Sequence, residues 1–246
     1  MDRLLEATAR AERDHFWFHG FRRFVTPLLE QAAEGHSNPS ILDCGCGTGN
    51  NLPMLRRYGH AVGIDLTFSG LKYATSRGDR AVAQASATDL PFADRSFDIV
   101  TSFDVLYALP DDAEKAAVAE MFRVLTPGGH LVLNVAALES LRGNHSVLGG
   151  EVRRYSRRRL RWALERGGFE ILRLTYTNAS ILPLVAGTRW FQRLRGHKES
   201  SSEITVPASP INAGLTAILA AESVAVRFID MPAGSSLLCL ARRPAR

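Results

Sequence analysis

Between Ser40 and Ala136 the sequence alternates short apolar strands with longer helical patterns, and this alternation leaves few folds open to the chain. Ser40–Cys44 reads as a buried strand, Asn50–Tyr58 as a helix, His60–Asp65 as a strand, Ser69–Arg77 as a helix, and Arg80–Ala85 and Phe97–Phe103 as strands. Asp111 opens the next helix, with Glu114 three residues on, where a capping box would place its carboxylate. Val118, Met121, Phe122 and Leu125 then share one helical face. Thr126-Pro127-Gly128-Gly129 is expected to end that helix, and His130–Ala136 to follow as a fifth strand. A series of this kind builds a doubly wound α/β sheet.

Beyond a polar stretch from Glu139 to Tyr155, Ser156 is placed to cap a basic helix ending at Gly167-Gly168, and Glu170–Thr177 and Ser235–Arg242 read as sixth and seventh strands. The 57 residues between those strands exceed an ordinary connection and carry helical patterns at Ala179–Arg195 and Ile211–Ile229. The linker Gly196–Pro210, with three consecutive serines and two prolines, is expected to be mobile or ordered only with ligand. Pro183 and Arg189 interrupt one helix and Glu222 the other before the roughly twenty apolar residues that a bilayer crossing needs, so neither is expected to span one.

The most informative motif is Ile41-Leu42-Asp43-Cys44-Gly45-Cys46-Gly47-Thr48-Gly49-Asn50, a strand running into a glycine turn that opens a helix. Glycine lets a backbone approach a ligand closely, and the free N–H groups of a helix start suit an anionic group such as a carboxylate. A dinucleotide fingerprint would need a third glycine where Asn50 stands, and a phosphate loop would need a Lys and Ser or Thr that the turn lacks. Asp65 ends the second strand twenty residues after Gly45, where a carboxylate can accept both hydroxyls of a ribose, although alone it would read as a helix cap. In Thr88-Asp89-Leu90-Pro91-Phe92, Asp89 can accept from an adenine amino group while Leu90 offers an apolar face; alone, Asp89 would be a turn aspartate. Ribose recognition without pyrophosphate points to an adenosine-type cofactor.

With these residues in view, the chain resembles the class I S-adenosylmethionine-dependent methyltransferases, the broad small-molecule superfamily that includes the ubiquinone-pathway enzymes. The resemblance covers about Ser40 to Ala136, on Asp43-Cys44-Gly45-Cys46-Gly47-Thr48-Gly49, Asp65, Thr88-Asp89-Leu90-Pro91-Phe92, Phe97-Asp98-Ile99-Val100 and Phe122-Arg123-Val124-Leu125-Thr126-Pro127-Gly128-Gly129. It implies a Rossmann-like sheet of seven mostly parallel strands with the last reversed, and S-adenosyl-L-methionine as cofactor. Gly45, Gly47 and Gly49 would then surround the methionine part, Asp65 would hold the ribose and Asp89 the adenine amino group, with Phe103 near the sulfonium and Asp43, Leu66 and Leu90 also in the cofactor site. The region after Arg153 also resembles a bacterial branch of unassigned substrate. One domain over 1–246 is expected: a helical cap (1–38), a cofactor-binding core (39–137) and a substrate-side half (138–246) with a helical insertion at 178–234.

For catalysis the sequence offers His145, in the loop after the fifth strand, as a base for a hydroxyl or acidic carbon; a solvated loop histidine is the plainer reading. Tyr107 and Tyr155 are weaker candidates on the acceptor side. Asp14-His15-Phe16-Trp17-Phe18-His19 could close as an aromatic lid or simply pack, and Trp17 and Trp190 are candidate acceptor contacts. Ile181, Leu182, Leu184, Val185, Trp190, Phe191 and Leu194 beside Arg189, Arg193, Arg195 and Lys198 would suit an apolar acceptor pocket, with a membrane surface as the weaker partner.

Composition trims these options. The 30 basic and 25 acidic residues leave a formal charge of +5, modest for 246 residues, and Arg153, Arg154, Arg157, Arg158, Arg159 and Arg161 read as a solvated helix face, so nucleic acid is not expected. Three cysteines make neither a disulfide framework nor a four-ligand zinc set, and no metal is expected. Residues 1–12 form a charged helical pattern without the apolar run of a signal peptide, which points to the cytoplasm. The reading that follows is methyl transfer to a small-molecule acceptor, hydrophobic or lipid-linked acceptors included. Its rival is a non-methylating binder of the same cofactor, a cyclase or regulatory scaffold, because fold alone does not choose.

Overall fold

The computed structural model describes residues 9, 11–142, 150–195 and 206–245, except for the side chains of 189 and 191–195. Seven strands form one sheet: β1 (Ser40–Cys44), β2 (His60–Asp65), β3 (Val82–Gln84), β4 (Phe97–Phe103), β5 (Leu125–Ala136), β6 (Glu170–Thr177) and β7 (Ser236–Arg242). Their order is β3-β2-β1-β4-β5-β7-β6, with β1 to β5 parallel and β7 antiparallel to both its neighbours. The doubly wound sheet with a reversed last strand is therefore present. Among the described residues, seven α-helices accompany it: α1 (Phe16–Ala33), α2 (Leu52–Leu55), α3 (Phe68–Ser76), α4 (Asp111–Val124), α5 (Arg157–Arg166), α6 (Leu182–Arg195) and α7 (Ser209–Val226).

The strands read as unbroken apolar runs because both faces of the sheet are covered. Alternation sorts them between two cores. Leu42, Cys44, Val100, Leu131, Leu133, Val135, Leu237 and Cys239 face a cluster with Val118 and Met121 of α4 and Leu160 and Leu164 of α5. Ile41, Ile99, Val132, Leu238 and Leu240 face the other cluster, with Phe24, Val25, Leu28 and Leu29 of α1 and Leu219 of α7.

Several expected boundaries shift for local reasons. The helix expected over Asn50–Tyr58 is only α2, since Arg57 and Tyr58 donate to Met54 and Leu55 in tight turns that lead into the next strand. Thr126-Pro127-Gly128-Gly129 lies inside β5, where Gly128 N donates to Arg243 O and Arg243 N to Gly129 O, so the strand begins directly at Leu125. The capping box at Asp111 and Glu114 does not form. Pro110 occupies the cap, and Glu114 is 3% exposed, accepting from Arg153 (2.7 Å), Arg159 (2.6 Å) and the Tyr155 hydroxyl. Ser156 does cap α5, accepting from Arg159 N.

The basic run is thus only partly a solvated face. Arg153 and Arg159 neutralise Glu114, Arg154 pairs with Glu151, and Arg157 lies over the Tyr176 ring, whereas Arg158 and Arg161 are exposed. By length and a mean hydropathy of 1.3, α7 does meet the composition of a bilayer-crossing helix, contrary to the expectation that Glu222 would spoil it. Here Glu222 is buried and accepts from Ala179 N, Ser180 N and the Ser180 hydroxyl, while Leu219 packs against Gly20 of α1. Ile211, Ile218 and Val224 of α7 and the following Phe228 are exposed. The helical pattern expected at 1–12 and the linker at 196–210 lie largely outside the described residues.

Candidate functional site

The parallel strands β1 and β4 are adjacent, with β1 continuing outward to β2 and β4 to β5, so the strand order reverses at the carboxyl ends of β1 and β4. Doubly wound sheets open a crevice at such a point. The glycine turn leaves β1 there. Gly45 N and Cys46 N both donate to Ile64 O at 2.8 Å, and Gly45, Gly47 and Gly49 adopt φ of 88°, 53° and 73°, a region that glycine enters without strain. A Cβ on Gly45 would strike Val105, and one on Gly49 would lie 2.8 Å from Ala74 Cβ, but a Cβ on Gly47 would meet nothing within 4 Å. Gly47 therefore faces open space.

Asp65 spans this turn: Oδ2 accepts from Gly47 N at 2.8 Å, and Oδ1 accepts from Thr67 N at 2.8 Å and from the Thr67 hydroxyl. Beside it, Leu66 and Phe68 are exposed large apolar side chains, with Lys72 Nζ 5.0 Å from the Phe68 ring centroid. Asp43 is fully buried, and its Oδ1 accepts from Thr101 Oγ1 at 2.7 Å while Oδ2 has no hydrogen-bond partner among the described residues. Burial pushes its carboxyl up to about 7, with the Thr101 bond opposing and the nearby Asp65 charge adding. A buried carboxylate oxygen without a partner and an open glycine cradle fit a ligand with both an ammonium and a carboxylate. The amino-acid part of S-adenosylmethionine carries both groups.

Asp89 is exposed on the loop after β3, its amide donating to Ser86 O. Leu90 corrects the expectation of an apolar face for adenine: its side chain is 3% exposed in the core. Its backbone is clamped by α4, with Leu90 N donating to Glu120 Oε2 at 2.7 Å and Arg123 Nη2 donating to Leu90 O at 3.0 Å. Arg123 also donates to Phe92 O and Asp94, so this arginine holds the Asp89 loop, a role the sequence reading missed. Leu66 and Phe68 supply the exposed apolar surface instead.

On the other side of the crevice Phe103 ends β4, almost buried, edge-on to Phe21 at 5.0 Å, and Phe21 stacks on Trp17 at 5.6 Å. The amino-terminal segment is tied over the turn. Thr48 Oγ1 donates to Glu12 at 2.6 Å, Arg22 donates to Glu12 O, and Arg77 donates to Thr48 O. Burial raises the Glu12 carboxyl, with Thr48, Arg77 and Arg22 opposing. Asn212 of α7 accepts from Phe16 N at 2.9 Å and donates to Asp14 O at 2.7 Å, which joins the aromatic segment to the insertion.

Tyr155 does not reach an acceptor: it is fully buried, its hydroxyl donates to Glu114, and both burial and that carboxylate raise it. Tyr107 is half-buried, its carbonyl accepting from Val152 N and Arg153 N, and burial raises its phenol. Trp190 is 65% exposed on α6 and makes no ring contact with Trp17 or Phe103 among the described residues. His145 lies outside the described residues. Cys44 and Cys46 are buried free thiols pushed up by burial, and the described residues hold no metal-ligand cluster. A shallow depression of about 600 Å³ beside Arg56, His60 and Asp79 opens at the amino ends of the strands, away from this crevice.

Residues 42–133 match the family described as a methyltransferase domain. Among curated relatives, the probable tRNA methyltransferase 9B of Homo sapiens is 37% identical over 125 residues, 50% of this chain and 27% of that protein. The demethylmenaquinone methyltransferase of Lactiplantibacillus plantarum is 37% identical over 107 residues, 39% of this chain and 44% of that protein. The chain spans between 27% and 66% of the length of the first curated relatives it matches. A solved complex between the Haloferax volcanii Trm112 methyltransferase activator and a methyltransferase matches with a TM-score of 0.64 at 19% identity, over 98% of this chain and 95% of that one, a likeness of fold.

Proposed function

Since the chain belongs to the class I S-adenosylmethionine-dependent methyltransferases, we propose that it transfers a methyl group to a small, largely apolar acceptor. When bound, the cofactor supplies an activated methyl group on a sulfonium. The chain's own task is to orient the two partners and exclude water. Gly45 to Gly49 and Asp43 hold the amino-acid part, Asp65 the ribose, and Asp89 with Leu66 the adenine. The aromatic run Trp17, Phe21 and Phe103 carries the acceptor side of the reading, because it links α1 to the carboxyl end of β4 beside the glycine turn.

RNA as the acceptor is the second reading, favoured by the likeness to the tRNA methyltransferase named above. The small-molecule reading draws support from the arginines after β5: Arg153, Arg154 and Arg159 are engaged by Glu114 and Glu151. A phosphate backbone would have to compete for them. Incubating the protein with methyl-labelled cofactor and, separately, organic extract and total tRNA tests the choice. Label in the extract together with formation of S-adenosylhomocysteine is expected. Label in tRNA alone would transfer the assignment to RNA, and cofactor binding without S-adenosylhomocysteine from either would leave a non-methylating binder.

A further inference from the structure

One carboxylate at the carboxyl end of β4 is not among the residues assigned to the cofactor above. Asp104 follows Phe103 and adopts φ of 60°, a left-handed conformation that is uncommon for a residue other than glycine. Asn134 of β5 secures it twice: Asp104 N donates to Asn134 O at 2.9 Å, and Asn134 Nδ2 donates to Asp104 Oδ1 at 3.0 Å. Asp104 Oδ2 makes no hydrogen bond among the described residues, and Asp104 keeps partial access to solvent. The next residue, Val105, packs against Gly45, so this carboxylate stands at the rim of the glycine turn.

An ordinary turn aspartate would satisfy its own backbone or lie in water. This one is held by a neutral amide in a sheltered place. Among the described residues, the charged and titratable groups around it are Tyr107 of the turn after β4 and Glu151 and Arg154 of the segment before α5. Burial pushes the Asp104 carboxyl up to about 7, with Asn134 and Arg154 opposing and Glu151 adding. A carboxylate with that balance can both take and return a proton near neutrality.

We propose that Asp104 faces the transferable methyl group and takes the acceptor's proton, so that the acceptor attacks through a hydroxyl oxygen or an acidic carbon. This inference rests on the methyltransferase reading. The acceptor's electron pair forms the bond to the methyl carbon, the pair of the broken carbon–sulfur bond stays on sulfur, and the proton goes to Asp104 Oδ2 and then to solvent. Sequence reasoning sought this base in the loop at His145 and passed over the residue that follows Phe103.

The test needs no identified acceptor. Calorimetry at pH 8 compares S-adenosylmethionine, a cation at sulfur, with S-adenosylhomocysteine, which is neutral there, on the wild type and on Asp104→Asn; asparagine tolerates the left-handed backbone, and Asp104→Glu restores the charge. Asp104→Asn is expected to weaken S-adenosylmethionine roughly fivefold while leaving S-adenosylhomocysteine unchanged, with Asp104→Glu recovering part of the loss. Carbon-13 spectra of aspartate-labelled protein should show a carboxyl absent from Asp104→Asn that titrates near 7 and is lowered by S-adenosylmethionine but not by S-adenosylhomocysteine. Equal effects on both ligands, no effect on either, or an Asp104 carboxyl titrating near 4 would overturn the proposal. Failure of the wild type to bind either ligand would instead refute the methyltransferase reading. With an acceptor found by methyl labelling, Asp104→Asn should lower kcat on the order of 100-fold and remove the limb near pH 7, and an unchanged profile would overturn the proton-transfer role.

Discussion

Gly47 and Gly49 stand two residues apart in one turn and answer to different constraints. Both have positive φ, but a Cβ at Gly49 meets Ala74 at 2.8 Å whereas one at Gly47 enters open space. Gly47→Ala is therefore expected to fold with a loss of about 1–2 kcal/mol from the backbone alone while abolishing measurable cofactor binding. Gly49→Ala should lose substantially more stability, because Ala74 sits on a packed helix and cannot retreat. Thermal melts and calorimetry on the two variants separate these effects; equal affinity in wild type and Gly47→Ala would show that the cradle is not the ligand's place. Asp65 carries a second residue-scale prediction. Asp65→Ala removes two acceptors, so cofactor affinity should fall by about 2 kcal/mol or more, roughly thirtyfold, in a variant that still folds.

Helix α4 meets the substrate-side half through Glu114, which gathers Arg153, Arg159 and Tyr155 onto one buried carboxylate. Glu114→Ala leaves two guanidinium groups without their buried partner and a buried hydroxyl with only the Leu106 carbonyl, and should cost on the order of 3 kcal/mol in denaturant unfolding. A loss below about 0.5 kcal/mol would mean that the cluster is solvated in solution. The two tryptophans separate at this scale as well. Trp17 on α1 is stacked through Phe21 to Phe103, while Trp190 on α6 is exposed. Trp17→Ala is expected to lower turnover at intact cofactor affinity and Trp190→Ala to leave turnover unchanged. The reverse pattern would move acceptor selection to the insertion.

For the whole molecule, the two described carboxyls pushed up to about 7, Asp43 and Asp104, make a contribution to the pH dependence of definite sign. An ordinary aspartate titrates near 4, so between about pH 4 and 7 the folded chain holds protons that the unfolded chain releases. The stability they contribute is fully present below that window and is lost as pH rises through it. Denaturant unfolding from pH 4 to 8 should show wild-type stability falling relative to Asp43→Asn up to about pH 7, with a constant difference above. Parallel curves would mean that Asp43 ionises equally easily in both states.

The sequence by itself determined the winding of the sheet, because hydrophobic alternation and punctuation by glycine and proline are local properties that each segment carries with it. Phe97–Phe103 and Glu170–Thr177 match their predicted strands residue for residue, and the glycine turn and Asp65 announce themselves by spacing along the chain. Only the tertiary structure decided what partners the polar side chains take. Glu114 reads locally as a cap and becomes the buried counterion of arginines 39 and 45 residues away. Leu90 reads as a ligand face and is drawn into the core by Glu120 and Arg123, 30 and 33 residues on. Asp104 is held by Asn134, 30 residues later on the neighbouring strand, and takes its raised carboxyl from burial there. Such contacts depend on which strands lie side by side, and desolvation, which sets a carboxyl's character, exists only after those strands have packed.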